Sequence, residues 1–297
     1  MIYVRDKGRM CNNILQYGHV YAWAKDHGKR TISMRFAYKY PWFRICRTPG
    51  HNFFRYLMGK FGAKWGLIPV ASYNTENADY TAEDRLLLES RNAVAEGWWV
   101  RHYDSFLNHL GEIKEIFEFR PEVRKNAETT LNGARRAGIP AIGLHIRRGD
   151  YARWNGGRYF YSDDQYIEIA RKLVEYAGGN ADIFICGNDP SLNEAAFRKA
   201  LESGKAPESG KAPESGKSPD SDKAPESDDI KLIFPKGNPA EDLCLLSECD
   251  MLAGPPSTFT LVAAMYRDLP LYWVKDPAAP LDAASFGRFA RLFREIL

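Results

Sequence analysis

From residue 139 onward, short unbroken apolar runs take turns with longer stretches in which apolar residues return every three or four positions. The run AIGLHI, residues 141–146, predicts a strand. The stretch SDDQYIEIARKLVEYA predicts a helix. Its Tyr166, Ile169, Ala170, Leu173 and Val174 share one face, and Ser162 with Gln165 three residues on forms a capping box. ADIFICG predicts the next strand and SLNEAAFRKAL the next helix. IKLIF, DMLAG and PLYWV predict three more strands, separated by the helices AEDLCLLSEC and STFTLVAAMY. Strands that are apolar on both faces, each followed by an amphipathic helix, mean a parallel sheet covered on both sides. Ligands of such a doubly wound, Rossmann-like half sit beyond the carboxyl ends of its strands.

The first half carries the same alternation less regularly. MIYVRD predicts a strand, Gly8 a turn, and NNILQYGHVYAWAKDHG a helix with Ile14, Tyr17, Tyr21 and Ala24 at helical spacing and Gly28 as its stop. RTISM predicts a further strand, whereas residues 36–80, dense in aromatics, Gly and Pro, give no assignable period. The whole is an α/β chain of two domains facing a cleft, 1–138 and 139–297. From Glu202 a hexad repeat begins (ESGKAP ESGKAP ESGKSP DSDKAP) with no large apolar residue. It cannot bury enough surface to offset the entropy of ordering, so a disordered loop over 202–229 is expected, inserted in the second domain as a tolerated repeat expansion.

Composition narrows the function classes. The net charge of +3 is too small for a general nucleic-acid binder. The five cysteines lack paired CxxC spacing, which excludes a zinc site of that kind and points to reduced, mostly buried thiols. Charges in MIYVRDKGRM stand where a signal peptide needs an apolar core, and no apolar run reaches the ~20 residues of a spanning helix. A soluble cytoplasmic protein is expected. The C-terminal SFGRFARLFREIL reads as a basic amphipathic helix with Phe286, Phe289, Phe293 and Ile296 on one side. Packing against the first domain is the favoured reading, and contact with the inner membrane face the other.

Four stretches carry candidate chemistry. In HIRRGD, Arg147, Arg148 and Asp150 follow a strand, where the fold places ligands. Guanidinium forks suit phosphate, and adjacent residues of an extended chain point to opposite faces. One arginine is therefore expected on the ligand and the other bracing the protein through Asp150, against the plainer reading of a surface ion pair. An adhesive RGD is excluded because it needs an exposed loop tip. In AGPPSTFTLVAAMY, Ser257 is placed to cap a helix, and the amides of Thr258 and Phe259 are expected to form an anion site, against plain capping. In CGNDPSL, the Asp189 carboxylate can accept two N–H donors of a guanine edge if Asn188 is the helix cap; the plainer reading makes Asp189 the cap itself. In GRMCNN, Gly8 to Asn13 bring backbone near a substrate or form a tight turn with an Asn N-cap. No dinucleotide fingerprint or P-loop is present.

Taken together these residues resemble a known family. HIRRGDY is similar to the HxRRxDY motif of the α-1,2-fucosyltransferases, related to an HxRR element of core α-1,6 and protein O-fucosyltransferases. GRMCNNILQYGHVYA resembles their N-terminal element, CDMLAGPPSTFTLVAAMY their third motif, and NDPSL the DDPS stretch of the core enzymes. The resemblance implies a GT-B fold, with the acceptor held mainly by the first domain and GDP-fucose by the second. It implies an inverting transfer of L-fucose to a glycan hydroxyl, galactose O2 being the position suggested, with no cofactor and no obligatory metal. By the same resemblance Arg147 contacts the β-phosphate, Arg148 braces the site, and His145 and Asp189 read the guanine. Ser257, Thr258 and Phe259 hold the pyrophosphate, and Asn12 lies near the transferred sugar. Cys11 stands where the family has a glycine and Asn13 where it has a glutamine, and both departures fall on the acceptor side.

Negative charge grows on the β-phosphate as the sugar bond breaks, so fixed donors aimed there lower the barrier. The acceptor hydroxyl needs a base, for which Asp150, Asp163 and Asp164 are the candidates. Two other readings stand beside this one: a GT-B transferase using another nucleotide sugar, and a non-catalytic glycan-binding or surface-interaction protein with the repeat as its functional part.

Overall fold

The computed structural model describes residues 1–187, 189–202 and 229–296. Most of the repeat loop expected over 202–229, and the proposed cap Asn188, lie outside the described residues.

The first half opens with β1 (Ile2–Val4), α1 (Met10–Asp26), β2 (Thr31–Ser33), α2 (Phe36–Lys39), α3 (Phe53–Lys64) and β3 (Val70–Ser72). It continues through α4 (Thr81–Glu89), β4 (Ala93–Glu96), α5 (Tyr103–Asn108), α6 (Leu110–Ile116) and α7 (Pro121–Ala134). The strands form a parallel sheet in the order β2-β1-β4-β3. These strands are only three or four residues long. That shortness hides their period in the sequence. Gly28 has φ +64 just past α1, as its stop role requires. The helix itself starts earlier than expected. Its N-cap is Arg9, and both asparagines lie inside the first turn, so the capping-Asn reading of GRMCNN is corrected.

The second half contains β5 (Ala141–Ile146), α8 (Asp163–Tyr176), β6 (Ala181–Gly187), α9 (Glu194–Leu201), β7 (Ile230–Ile233) and α10 (Pro239–Ser247). It ends with β8 (Met251–Gly254), α11 (Thr258–Arg267), β9 (Leu271–Trp273), β10 (Phe286–Gly287) and α12 (Phe289–Phe293). Five of its six strands are parallel, in the order β10-β9-β8-β5-β6-β7 with β10 antiparallel at the edge. All six residues of β5 are buried, which is why it reads as an unbroken apolar run. The Ser162–Gln165 capping box forms, and Asn238 with Glu241 makes a second one at α10.

The two sheets lie on either side of Gly138, but packing crosses that point in both directions. From the first half, α7 reaches the second: Asn126 donates to Glu241 at 2.7 Å, and Arg135 pairs with Asp250 at 2.7 Å. From the second half, α12 returns to the first. Phe293 packs 4.5 Å from the Phe106 ring and 4.9 Å from the His19 ring. The favoured packing of the C-terminal segment on the first domain is what the structure shows, and only the extent of the helix is corrected. The helix is five residues long, Phe286 belongs to β10, and Phe289 and Phe293 are buried. Their apolar face is already covered by protein, so this helix offers none to a membrane.

Candidate functional site

In the six-stranded sheet the chain leaves β5 toward one side, through β6 and β7, and returns through β8 and β9 on the other. The switch point of the sheet is therefore the crevice between the carboxyl ends of β5 and β8, where doubly wound folds bind ligands. His145, Arg147 and Arg148 leave one lip of that crevice, and Gly254 to Thr258 leave the other. Gly254 is required there, because a Cβ would come within 2.9 Å of the His145 carbonyl oxygen.

The adjacent arginines take opposite environments. Arg148 is buried. Its Nε donates to the Tyr161 carbonyl at 2.9 Å, one amino group bonds Asp189 at 3.1 Å, and the other pairs with Asp163. Arg148 is thus the bracing arginine, but through Asp163 and Asp189 rather than through Asp150. Arg147 turns toward the crevice. Its guanidinium pairs with Asp150 at 2.7 Å and lies 5.1 Å from the centre of the Tyr151 ring. The Tyr151 hydroxyl donates to the Pro256 carbonyl at 2.7 Å, one residue before the cap of α11. Arg147 and the leading turn of α11 therefore stand beside each other.

The first half closes the crevice from the opposite wall. Asn12 Oδ1 accepts from the Thr258 hydroxyl at 2.8 Å, joining positions 246 residues apart. Gly8 makes this possible: its φ is +76, and a Cβ would strike the Asn12 amide at 2.8 Å. Arg9 reaches Asp150 at 3.5 Å, so that carboxylate lies between two guanidinium groups. Asn13, where the family has glutamine, is turned inward. It accepts from the Lys7 amide at 2.7 Å and donates to the Arg9 carbonyl at 2.8 Å, fixing the loop that carries Arg9. Cys11 is buried close to Arg147, and burial pushes its thiol pKa up, so it remains neutral.

Several expected roles meet competing partners. The Phe259 amide donates to the Ser257 hydroxyl at 3.1 Å, so it caps the helix instead of standing free for an anion. Phe259 stacks its ring on His145, 4.7 Å between centres. The Asp189 carboxylate is not free either: Arg148 holds one oxygen, and the Ser191 amide and hydroxyl hold the other at 2.9 and 2.7 Å. Among the three base candidates, Asp163 is tied to Arg148 and to the Asn193 amide, Asp164 is exposed in the first turn of α8, and Asp150 alone reaches Arg147.

Three residues were missed by sequence reasoning. Tyr151 and Arg9 lie within quoted stretches, but nothing local says that one supports Arg147 and the other faces Asp150. Asp242 was hidden more thoroughly, since AED at a helix start reads as ordinary acid in a first turn. Its Oδ1 is buried without a hydrogen-bond partner. Burial, followed by the Glu241 charge, raises its pKa from an ordinary 3.8 to about 7. It lies near Cys186, the strand partner of His145. His145 carries a second orphan: Nδ1 is buried and unpartnered, and burial with the Arg147 charge lowers the ring pKa to about 3, keeping it neutral.

No protein-family model matches the sequence. It is 25% identical over 281 residues to galactoside 2-alpha-L-fucosyltransferase Sec1 of Mus musculus, covering 89% of this chain and 64% of that protein. Solved fucosyltransferase structures share the architecture. Arabidopsis thaliana FUT1, an arginine-to-lysine mutant in complex with GDP, superposes with a TM-score of 0.59 at 13% identity, covering 97% of this chain and 73% of that one. POFUT1 in complex with GDP-fucose gives 0.58 at 11% identity over 90% and 94%. NodZ from Bradyrhizobium gives 0.53 at 14% identity over 94% and 96%. The chain is similar to the fucosyltransferases. Its fold is GT-B, as the motifs implied. It spans 64% of the length of its curated relative Sec1.

Proposed function

We propose that this protein transfers L-fucose from GDP-fucose, with inversion, to a hydroxyl of a glycan acceptor, galactose O2 being the favoured position. One observation carries the reading: the Thr258–Asn12 hydrogen bond brings the third motif and the N-terminal motif together beside Arg147. Three of the four motifs thus meet at one crevice, at the switch point of the sheet, and the fourth braces it from behind through Asp189 and Arg148.

The chemistry follows from charge. GDP leaves with negative charge building on its β-phosphate. Arg147 is held by the Tyr151 ring, and Thr258 opens α11 beside it, so once the diphosphate is bound the donors are in place for that charge. Asp150 lies between Arg147 and Arg9; a diphosphate arriving there displaces a carboxylate from two guanidinium groups. The released Asp150 is the base candidate best placed to take the acceptor proton. Guanine reading moves from Asp189 to Asp242 in this account. Asp242 has an oxygen with no protein partner, and a carboxylate accepts from the N1–H and exocyclic amine of guanine. The neutral His145 supplies the second unpartnered group. The donor needs no cofactor.

The test is a donor screen. Purified protein is given GDP-fucose, other GDP-sugars and UDP- or ADP-sugars, and hydrolysis is followed by nucleotide release. Turnover confined to GDP-fucose supports the reading. Equal turnover with a UDP-sugar would make this a transferase of another donor class, and no turnover with any sugar on a full acceptor array would leave only glycan binding. Linkage analysis of the array product tests galactose O2.

A further inference from the structure

Helix α3 turns two glycines inward and several of its large residues outward. Gly59 and Gly62 are buried, and a Cβ on either would lie 2.8 Å from the Tyr3 ring or 2.5 Å from the Ile68 side chain. The helix is seated closely at these glycines, with Tyr56 and Ala63 packed on the cluster around Tyr3. Phe54, Met58, Phe61 and Trp65 recur at i, i+4, i+7 and i+11, one continuous stripe whose centre lies about a quarter turn from those glycines. Phe54 is 70% exposed, Trp65 66% and the following Leu67 76%. Apolar stripes of surface helices ordinarily face a core; this one faces solvent.

The segment that carries it is one-sided in charge. Between His27 and Thr75 the chain has nine Lys or Arg and not one Asp or Glu, although the whole protein carries a net charge of only +3. Lys60 and Lys64 flank the stripe on the helix itself and are exposed. Exposed Phe, Met, Trp and Leu with lysines beside them are the features of a helix that lies in a membrane interface, apolar face down among acyl chains and cations at the headgroups. A second copy of the chain fits poorly, because a two-fold contact sets this basic face against itself. A nucleic acid would use the cations and the rings for stacking but would leave the aliphatic Met58 and Leu67 in water. No helix among the described residues is long and apolar enough to cross a membrane.

We infer that the outward stripe of α3, with its lysines, docks the protein on an anionic lipid bilayer. This surface is distinct from the crevice, so the inference stands whichever sugar donor the crevice takes. The test uses the full chain in co-sedimentation with vesicles of phosphatidylcholine alone and with added phosphatidylglycerol. The expected result is capture by the phosphatidylglycerol vesicles, weakening with salt as screening sets in. The pair Phe54→Ser/Trp65→Ser should bind about tenfold or more weaker, since two large apolar groups no longer leave water. Its thermal midpoint and GDP affinity should match the parent protein. The pair Lys60→Glu/Lys64→Glu should also lose capture. Absence of binding to anionic vesicles overturns the inference, as does binding untouched by both variants. So does self-association or RNA binding through these residues without lipid capture.

Discussion

The two walls of the crevice are built differently. The second-half wall is braced from behind: Arg148 is buried and tied to a carbonyl and two carboxylates, and the lips rise from the neighbouring strands β5 and β8 inside a six-stranded sheet. The first-half wall is the start of α1, whose apolar side shares one core with α11, and in the crevice it meets the other wall through the Asn12–Thr258 bond and the exposed Arg9–Asp150 pair. In the proposed reaction the wall fixed by buried charge suits the nucleotide, the ligand common to such enzymes. The wall whose rim meets it through two polar contacts suits the acceptor. The departures at Cys11 and Asn13 both fall on this first-half wall.

That contrast is broken most forcefully at Arg148. Arg148→Ala leaves Asp163 and Asp189 facing each other without their cation. Removing one partner of a buried pair costs about 3–5 kcal/mol, and the partial exposure of Asp163 places this case at the lower end. Denaturant unfolding should show that loss, with activity falling alongside it. Survival of parental stability would mean that the rear brace carries no weight.

Next in size is Arg147→Ala. Arg147 is joined to an exposed carboxylate and a ring face, so its removal should leave the fold intact. Turnover should fall ~10²–10³-fold, the usual cost of one donor to developing charge. A variant that folds normally and keeps a tenth of its turnover would remove Arg147 from the proposed role. Paired with Arg148→Ala, it separates neighbours in sequence into a residue of stability and a residue of rate.

The third experiment sets Asp242 against Asp189. Asp242→Asn should weaken GDP binding about 10–100-fold, as expected for a lost bidentate base contact of ~1–3 kcal/mol. Asp189→Asn should act mainly through Arg148, on stability. pH sharpens the difference. The Asp242 pKa is raised in the folded protein to about 7 from an ordinary 3.8, so the folded state holds this proton more tightly than the unfolded chain. Its contribution to stability is therefore complete below about pH 4 and is lost as pH rises to about 7. GDP affinity should move the opposite way, rising through that range as the carboxylate forms. Titration calorimetry across pH should find both slopes flattened in Asp242→Asn; an unchanged GDP profile would return the guanine contact to Asp189.

How legible each wall was in the sequence follows from the same contrast. The β5 run and the Ser162–Gln165 box were readable because the residues that decide them are neighbours in the chain. The arginines were readable as a pair, but which carboxylate each would meet was not, since Asp163 and Asp189 arrive from other elements. Strands of three residues are too short to show a period, and α3 was unreadable because two glycines take inward positions while Phe54, Met58 and Trp65 are exposed. Asp242 was invisible for a further reason: an orphaned oxygen is a property of what surrounds it.

The smallest effect belongs to the link between the walls. Thr258→Val removes the hydroxyl that donates to Asn12 while keeping the size of the side chain. A single net hydrogen bond is worth about 0.5–1.5 kcal/mol, so the thermal midpoint should fall only slightly. The kinetic consequence distinguishes the two walls. If Asn12 holds the acceptor side in place, the variant should raise the acceptor KM several-fold; the Thr258 amide at the start of α11 is kept, so GDP affinity should fall less. Equal losses for donor and acceptor would show that the first-half wall is as much a part of the nucleotide site as the other. The double variant with Asn12→Ala completes the cycle, and a coupling energy near zero would mean that the bond joins the two halves without communicating between them.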